Sequence, residues 1–295
     1  MNDPSKWAPW GALALTGCCS FSARELANSL REDDIRCLAT EDDMTVASPY
    51  DVENTASLVR DVRAYLGAIE ALLEVEMPSN LHVEFPPVDM PDIQIQERED
   101  GSWDLENFRI PSHHGIRGYS TSTKENPLVT VFVARPGTAT LLDGTKQTAV
   151  LSIGNDALLR HELGHACARQ ADLDGPVWFD EAIAEEFEYR ELDEDGSLVP
   201  IPLPSSLRMA RDGHDAYTID DVLDWEEDAR AVAAGEEEPF YLGRPLAHSL
   251  LRFLLVRTPG DSLRAQLERI EAMDREELRA LGPEWKAWLD ALPSA

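Results

Sequence analysis

The most regular pattern of hydrophobic and polar positions lies in residues 53–76. Apolar side chains recur there at steps of three and four residues, which is the spacing of one face of an α-helix. Because Pro78 follows closely, the pattern predicts a long amphipathic helix that ends before this proline. The apolar positions of the face are Ala56, Val59, Val62, Leu66, Ile69 and Leu73.

Short apolar or alternating segments on both sides of this helix predict β-strands. The segment LVTVFVA is the most apolar of them, as expected for a strand that is buried in a sheet. Residues 86–126, in contrast, are rich in Pro, Gly, Ser and charged residues, and we expect a long loop region there with room for one hairpin. The predicted strands are IRCLAT, MTVAS, LHVEF, LVTVFVA and AVLSIG.

Helical patterns dominate the second half of the chain. A helix is predicted over about residues 155–170, and the next one begins near Asp180 and runs through EAIAEEFEYREL. In TIDDVLDW, Thr218 and Asp221 have the spacing of a capping box, which predicts a helix that starts at this point. Further helices are predicted over 240–257, 261–272 and 283–291.

The order of these elements, mixed strands and helices first and helices alone last, predicts an α+β fold with an α-helical C-terminal lobe. The segment DEDGSLVPIPLPSS lies between the two parts and is predicted as a linker because prolines interrupt it. The predicted division is 1–17 as a signal peptide, 18–34 as a tether, 35–192 as the α/β lobe, 193–214 as the linker and 215–295 as the helical lobe.

Composition narrows the classes of protein to which the chain can belong. Hydrophobic residues make up 43% of it, which is typical of a globular protein. Its 56 acidic and 26 basic residues give a net charge of −30, so the surface repels nucleic acid and we expect no nucleic-acid partner. No apolar run in the sequence approaches the roughly 20 residues of a membrane-spanning helix.

The N-terminal residues have the order of an export signal: Lys6, a short apolar stretch, and then small residues before a cysteine. The tetrapeptide Leu15-Thr16-Gly17-Cys18 resembles the lipobox of bacterial lipoproteins. This resemblance implies cleavage before Cys18, attachment of lipid to that cysteine, and location in the cell envelope with membrane contact through the lipid anchor only. A cytoplasmic protein with a partly apolar terminus is the alternative.

Two cysteines, Cys37 and Cys167, lie beyond the predicted tether. In an oxidising compartment they can form a disulfide, and as small side chains they can equally be buried apart from each other. The sequence does not decide between these alternatives.

The strongest chemical motif lies in the segment LLRHELGHACARQ. His161 and His165 are four residues apart, so on a helix both imidazoles lie on one face and can bind the same metal ion. Zinc accepts such nitrogen ligands, and a catalytic zinc is held by three protein groups plus water. Glu162 lies about 100° around the helix from His161, where its carboxylate can reach that water as a general base.

The following predicted helix, PVWFDEAIAEEFEYRE, offers several carboxylates as the third ligand. Glu181, Glu185 and Glu188 share one face with the small Ala184, so this face can approach a metal ion closely. A solvated acidic face is the alternative interpretation, since acidic side chains are mostly exposed and the whole chain is acidic. These residues alone leave the choice open.

Together, HELGHA and PVWFDEAIAEEFE resemble the peptidase MA-like, or gluzincin, family of zinc metallopeptidases, to which thermolysin-like enzymes belong. The resemblance implies a zincin-like first lobe with a mixed sheet and active-site helices, and Zn²⁺ as the cofactor. Ala182 departs from the family pattern, which usually has Gly there. The implied roles are His161, His165 and Glu181 as zinc ligands, Glu162 as general base, and Glu185 as a residue that orients a ligand histidine.

The function implied by this resemblance is hydrolysis of a peptide bond in a peptide or protein substrate. Glu162 takes a proton from a zinc-bound water and delivers it to the leaving amine. Family members stabilise the oxyanion with a Tyr or His from the helical lobe, for which Tyr241 is the first candidate, His248 the second, and His214 and Tyr217 follow. The main alternative is a non-catalytic, lipid-anchored envelope protein that uses the zincin scaffold for binding or structure. A metal-free helical protein and a zinc amidase acting on cell-wall peptides are further alternatives.

Overall fold

The structure is a computed structural model that describes part of the chain. The predicted signal peptide and tether, with Cys18, lie outside the described residues, and so does Tyr241. The described residues are 37–41, 44–49, 52–78, 80–85, 87–88, 94–97, 103–104, 118–131, 133–134, 137–141, 146–149, 155–173, 175–225 and 243–293.

These residues form a mixed α/β fold in which most strands precede most helices. In chain order the strands are β1 (Cys37–Glu41), β2 (Met44–Ser48), β3 (His82–Glu84), β4 (Pro87–Val88), β5 (Gln94–Glu97), β6 (Trp103–Asp104), β7 (Gly118–Thr123), β8 (Asn126–Val131), β9 (Val133–Ala134), β10 (Gly137–Leu141), β11 (Lys146–Ala149), β12 (Arg190–Leu192) and β13 (Leu198–Pro200). The helices are α1 (Val52–Leu73), α2 (Asn155–Gln170), α3 (Val177–Glu188), α4 (Ser205–Gly213), α5 (Ile219–Leu223), α6 (Gly243–Arg257), α7 (Leu263–Glu271), α8 (Arg275–Ala280) and α9 (Gly282–Asp290).

The largest sheet has five strands in the order β1-β2-β3-β8-β7. Its three central strands run parallel to one another, while β1 and β7 are antiparallel to their neighbours and form the two edges. Helix α1 lies between β2 and β3 in the chain, because parallel neighbours need a crossover connection. The smaller sheets have the orders β11-β10-β5-β6, β12-β13 and β4-β9.

The hydrophobic core connects the five-stranded sheet with helices α1 and α2, which pack against each other, and continues through α3 to α6, α7 and α9. Helix α1 contacts β1 and β2, whereas α2 contacts β7 and β8, so α2 is held beside the edge strand β7. At the start of the predicted apolar face of α1, Thr55 is buried and Ala56 is exposed. Thr55 lies four residues before Val59 and therefore occupies the same helix face. The buried apolar residues of this face are Val59, Val62, Ile69 and Leu73.

The elements with strong hydrophobic periodicity are confirmed, and α1 and α2 lie where the sequence predicts them. The loop region predicted for residues 86–126, with room for one hairpin, contains the antiparallel pair β5–β6 and, beyond that prediction, strand β7, which pairs along its whole length with β8. Its sequence, GYSTST, has no apolar alternation, so only the pairing with a buried neighbour makes it a strand. The predicted strand AVLSIG falls largely outside the described residues.

The proline-rich segment predicted as a linker contains regular structure. Strand β13 pairs with β12, and α4 begins directly after Pro204, which occupies the N-cap position. Proline is tolerated at the start of a helix, where backbone N–H groups lack intrahelical partners, so it does not exclude a helix here. Helix α3 likewise begins after Pro176, three residues earlier than predicted from Asp180. The division into lobes itself remains a prediction.

Two further observations concern the described residues only. Cys37 and Cys167 are both free thiols, so the alternative of a disulfide between them is not realised in the structure. Within the parts of the chain that the structure describes, no helix has both the length and the apolar character needed to cross a bilayer.

Candidate metal centre

Helices α2 and α3 pack unusually closely, and a glycine makes this approach possible. A Cβ atom on Gly164 would lie 2.9 Å from Cδ2 of Phe187 and 3.4 Å from the Cα of Ala184. Only a residue without a side chain fits between the two helices at this point. Ala182, which has a methyl group where the family pattern has none, is fully buried in the core around α3.

Arg160 fixes the C-terminal end of α3 against α2. Its Nη2 donates a hydrogen bond to the carbonyl of Glu188 at 3.0 Å, and its Nε donates to the carbonyl of Phe187 at 3.3 Å. These carbonyls belong to the last turn of α3, where they lack intrahelical partners and carry partial negative charge. The guanidinium also lies 5.0 Å from the ring centroid of Tyr65 on α1. These contacts therefore fix the position of α3 along the axis of α2.

This packing brings His161, His165 and Glu181 together in the interior. They are 1%, 2% and 3% exposed, respectively. Nε2 of His161 lies 3.6 Å from Oε2 of Glu181, and Nε2 of His165 lies 4.0 Å from Oε1 of the same carboxylate. One ligand atom from each residue lies within 4.8 Å of the others, so the three residues can hold a metal ion.

The polar atoms of this cluster fit a small divalent cation. Nε2 of His161 is buried and, within the described part of the chain, makes no hydrogen bond. Buried polar atoms without partners are costly, and a bound cation provides the missing partner. Zinc bonds of about 2.0–2.1 Å at tetrahedral angles separate ligand atoms by roughly 3.3 Å. The observed separations of 3.6 and 4.0 Å between the imidazole nitrogens and the carboxylate oxygens therefore need to shorten by about 0.3 and about 0.7 Å.

The outward-facing nitrogens of the two histidines each face another carboxylate. Nδ1 of His165 hydrogen-bonds Oδ1 of Asp180 at 3.0 Å, and Nδ1 of His161 lies 3.1 Å from Oε2 of Glu188. Metal-binding histidines usually hold their second nitrogen in this way, which fixes the ring and its tautomer. Asp180 and Glu188 were among the carboxylates of PVWFDEAIAEEFEYRE that were candidates for the third metal ligand, and in the structure they lie beside the outward-facing nitrogens instead.

Glu185, which the sequence analysis assigned this orienting role, lies in the same region. A carboxylate oxygen of Glu185 lies within 4.8 Å of ligand atoms of His161 and Glu188, and Glu185 is 6% exposed. Its Oε2 makes no hydrogen bond to any residue that the structure describes. The orienting role of Glu185 therefore remains a prediction.

The charges around the cluster shift the pKa values of His161 and Glu181. Burial opposes protonation of His161, but the facing carboxylates of Glu181 and Glu188 outweigh it and raise the pKa of this imidazole to about 9. Burial also raises the pKa of Glu181, yet the guanidinium of Arg244 and the two imidazoles lower it well below its usual range. Nε of Arg244 lies 2.9 Å from Oε2 of Glu181, while about half of the Arg244 side chain is exposed. Glu181 is therefore ionised at neutral pH, as a metal ligand must be.

Glu162 follows His161 on α2 and is 4% exposed. Its burial raises the pKa of the carboxyl group, although the charges of His161, His165 and Arg244 act in the opposite direction. A general base is most effective when its pKa lies near the working pH, so a raised carboxyl pKa suits such a role.

Three candidates for oxyanion stabilisation lie in the described residues, and none of them belongs to the metal cluster. His248 is fully buried, with Nδ1 2.7 Å from Oγ of Ser206 and Nε2 3.2 Å from Oε2 of Glu186. Nε2 of His214 lies 3.2 Å from Oδ1 of Asp290, and Nδ1 faces a backbone carbonyl. Tyr217 packs against the core, and Tyr241 lies outside the described residues.

Glu186 is the centre of a buried ion network that joins α3 to α6. Its Oε1 accepts hydrogen bonds from Nε and Nη2 of Arg190 at 3.0 and 2.7 Å, and its Oε2 contacts Arg252 and His248. Burial raises the pKa of Glu186, but these three groups outweigh it and lower it to about 2. The network explains why His248 is buried and leaves neither of its ring nitrogens for a substrate.

Replacing Glu186 with Gln is expected to destabilise the fold by about 3 kcal/mol. The substitution leaves Arg190 and Arg252 buried without their counter-ion, which typically costs about 3–5 kcal/mol. Urea unfolding at pH 7, followed by circular dichroism, measures this loss. Glu191→Gln, which removes an exposed carboxylate from the neighbouring strand β12, is the control and should change the free energy of unfolding by less than about 0.5 kcal/mol.

The pH dependence of this effect has a defined sign. Because the folded-state pKa of Glu186 lies below its unfolded-state value, the stability that it contributes is present above about pH 4.5 and is lost as the pH falls towards about 2. The difference between wild type and Glu186→Gln should therefore shrink over this interval. A difference that stayed constant down to the lowest pH at which the protein folds would contradict the account of the network.

Comparison with models of known protein families gives no match for this chain, and comparison with curated proteins gives none either. The proposal that follows rests on the residues of the cluster and on their geometry.

Proposed function

We propose that this chain is a zinc-dependent metallopeptidase of the gluzincin type, with His161, His165 and Glu181 as the zinc ligands. The observation that carries the proposal is the buried convergence of two imidazoles from one helix and a carboxylate from the next. Nitrogen and carboxylate donors in this number match catalytic zinc sites, which keep one position open. A zincin-like fold in two lobes is part of the same proposal.

Zinc supplies a Lewis acid that lowers the pKa of bound water and polarises a carbonyl oxygen. Glu162 acts as the general base: it accepts a proton from the attacking water and delivers it to the leaving amine. Burial raises the pKa of the Glu162 carboxyl group, which suits a general base. Asp180 and Glu188 hold the ligand imidazoles in place from the opposite side of each ring. Tyr241 is the proposed donor to the oxyanion.

The substrate is proposed to be a peptide or protein in extended conformation. Strand β7 forms an edge of the five-stranded sheet and contacts α2, the helix that carries both histidines and Glu162. An edge strand offers backbone N–H and C=O groups with which an extended peptide can pair. A peptide bound along this edge would run beside the metal centre.

Export and lipid attachment at Cys18 also remain proposals, based on the lipobox-like tetrapeptide. Labelling of the full-length protein with a radioactive fatty acid, in wild type and in Cys18→Ser, tests them directly. Label in the wild type that disappears in the variant is the expected result, whereas equal or no label in both contradicts the proposal.

Zinc content and peptidase activity test the proposed function together. Purified protein is expected to contain zinc and to cleave members of a mixed peptide library. Removal of the metal with a chelator should abolish cleavage, and addition of zinc should restore it. Protein that contains zinc but cleaves no peptide would support the non-catalytic alternative, and protein that binds no zinc would contradict the proposed ligand set.

Replacing Asp180 with Asn is expected to weaken zinc binding by about 10–100-fold while leaving all three ligands in place. The reason is that an amide holds the Nδ1 proton of His165 less strongly than a carboxylate does, so the ring becomes a poorer and less well-oriented ligand. Competition with a chromogenic chelator measures the zinc dissociation constant. Asp195→Asn, which changes an exposed aspartate in a turn, is the matched control and should leave zinc affinity unchanged.

A further inference from the structure

Nδ1 of His161 is on the side of the ring that points away from the proposed zinc site, and it lies near a second group of potential ligands. Ligand atoms of His161, Glu185 and Glu188 lie within 4.8 Å of one another. We infer that Glu185, Glu188 and the Nδ1 side of His161 form a second divalent-cation site, which shares one imidazole with the proposed zinc site. This second site is not needed for the proposed peptidase function and goes beyond it.

The geometry of α3 explains why two carboxylates meet at this point. Glu185 and Glu188 are three residues apart and so lie on one face of the helix. Glu188 approaches Nδ1 of His161 to 3.1 Å, which gives the site one nitrogen and at least two carboxylate oxygens as donors. Zinc and manganese accept this combination of donors, whereas ions that prefer thiolates do not.

An unpartnered, buried oxygen points independently to a missing ligand. Glu185 is 6% exposed, and its Oε2 makes no hydrogen bond to any residue in the described part of the chain. A buried carboxyl oxygen without a donor or a cation is costly, because the group has lost its hydration. A cation between Glu185 and Glu188 provides this partner.

The electrostatic balance of the site supports the same conclusion. Ligand oxygens of Glu185 and Glu188 lie within 4.8 Å of each other. Two adjacent carboxylates resist simultaneous ionisation, and a divalent cation between them removes this repulsion.

Binding of an ion at one site should weaken binding at the other, because the two sites use the two nitrogens of one ring. Nε2 of His161 faces Glu181, and Nδ1 faces Glu188. A neutral imidazole that binds a cation through Nε2 carries its proton on Nδ1. A second cation that binds Nδ1 must displace this proton to the solvent, so it binds more weakly when the first site is filled.

Zinc titration of the full chain, after treatment with EDTA and dialysis, tests the inference by calorimetry. We expect the wild type to bind one zinc ion more than Glu185→Gln does, with loss of the weaker step in the variant. Glu181→Gln should instead lose the tighter step and retain the weaker one. Glu191→Gln is the control for removal of one nearby carboxylate and should bind as many ions as the wild type.

The number of bound ions distinguishes this inference from the proposed function. Equal numbers of ions in wild type and Glu185→Gln, with the tight step lost in Glu181→Gln, overturn the second site and leave the proposed function intact. A single ion that Glu185→Gln loses and Glu181→Gln retains supports the second site and contradicts the proposed function. Thermal unfolding by circular dichroism shows that each variant is folded before it is titrated.

Discussion

Glu162→Gln is expected to lose hydrolytic activity by about 10²–10⁴-fold in kcat/KM while it keeps its zinc. Glutamine has nearly the same shape as glutamate but cannot accept the proton of the attacking water. Glu162 is not among the three proposed ligands, so the ligand set is unchanged. Glu162 is buried, and its replacement by a neutral amide places no new charge in the interior, so the variant should fold. Peptide hydrolysis and zinc content, measured on the same preparation, check both parts of this expectation.

Glu162→Asp is the matched variant for this experiment. It retains a carboxylate but withdraws it by about one methylene group, so it should recover part of the activity that Glu162→Gln loses. If wild type and Glu162→Gln hydrolysed peptides equally well, Glu162 would not be the general base. If neither hydrolysed any peptide while both retained zinc, the non-catalytic interpretation would be the better one.

Glu181→Gln is expected to weaken zinc binding by at least about 100-fold and to abolish hydrolysis. Loss of a residue that only orients a zinc ligand already costs about 10–100-fold in affinity, and Glu181 is proposed to contact the ion itself. The substitution also removes the negative charge that pairs with Arg244, so a positive charge remains beside the vacated position and repels the cation. Zinc content after dialysis against a weak chelator measures the loss.

Two companion variants make this result specific. Glu181→Asp retains the charge that neutralises Arg244 but shortens the ligand, so it should bind zinc with intermediate affinity. Glu191→Gln removes an exposed carboxylate of the same charge and should retain zinc fully. Retention of a full, tightly bound equivalent of zinc by Glu181→Gln would show that another residue supplies the third ligand.

The parts of the site that lie on one helix could be predicted from sequence. The spacing of His161 and His165 on a periodic segment fixes both imidazoles on one face of α2, whatever the rest of the fold does. The same reasoning shows that several glutamates of α3 share a face. It does not show which of them faces the histidines, because that depends on how closely and at what angle the two helices cross.

The contacts that decide this crossing connect residues that are distant in sequence. Arg160 binds a carbonyl 28 residues away, and His248 contacts Glu186 over 62 residues. No local pattern indicates such pairs, so His248 was a plausible oxyanion donor from sequence and proved to belong to a buried ion network. The orienting contacts of Asp180 and Glu188 were missed for the same reason.

Strand β7 and helix α4 were missed for a different reason. Strand β7, GYSTST, has few apolar residues and therefore no alternation, whereas helix α4, SSLRMARDG, follows several prolines that indicated a linker. Pairing with β8 stabilises β7, and packing against α6 stabilises α4. Elements that depend on tertiary contacts in this way are the ones that a sequence pattern describes least well.

The ligands of the bound ion test the central claim most directly. Protein loaded with one equivalent of zinc can be examined by X-ray absorption at the zinc K-edge, in wild type and in His165→Ala. The account predicts two imidazole nitrogens and at least one carboxylate oxygen at about 2.0–2.2 Å in the wild type, and one imidazole fewer in the variant. A wild-type spectrum with fewer than two imidazoles, or one that His165→Ala leaves unchanged, would contradict a zinc site built on His161, His165 and Glu181.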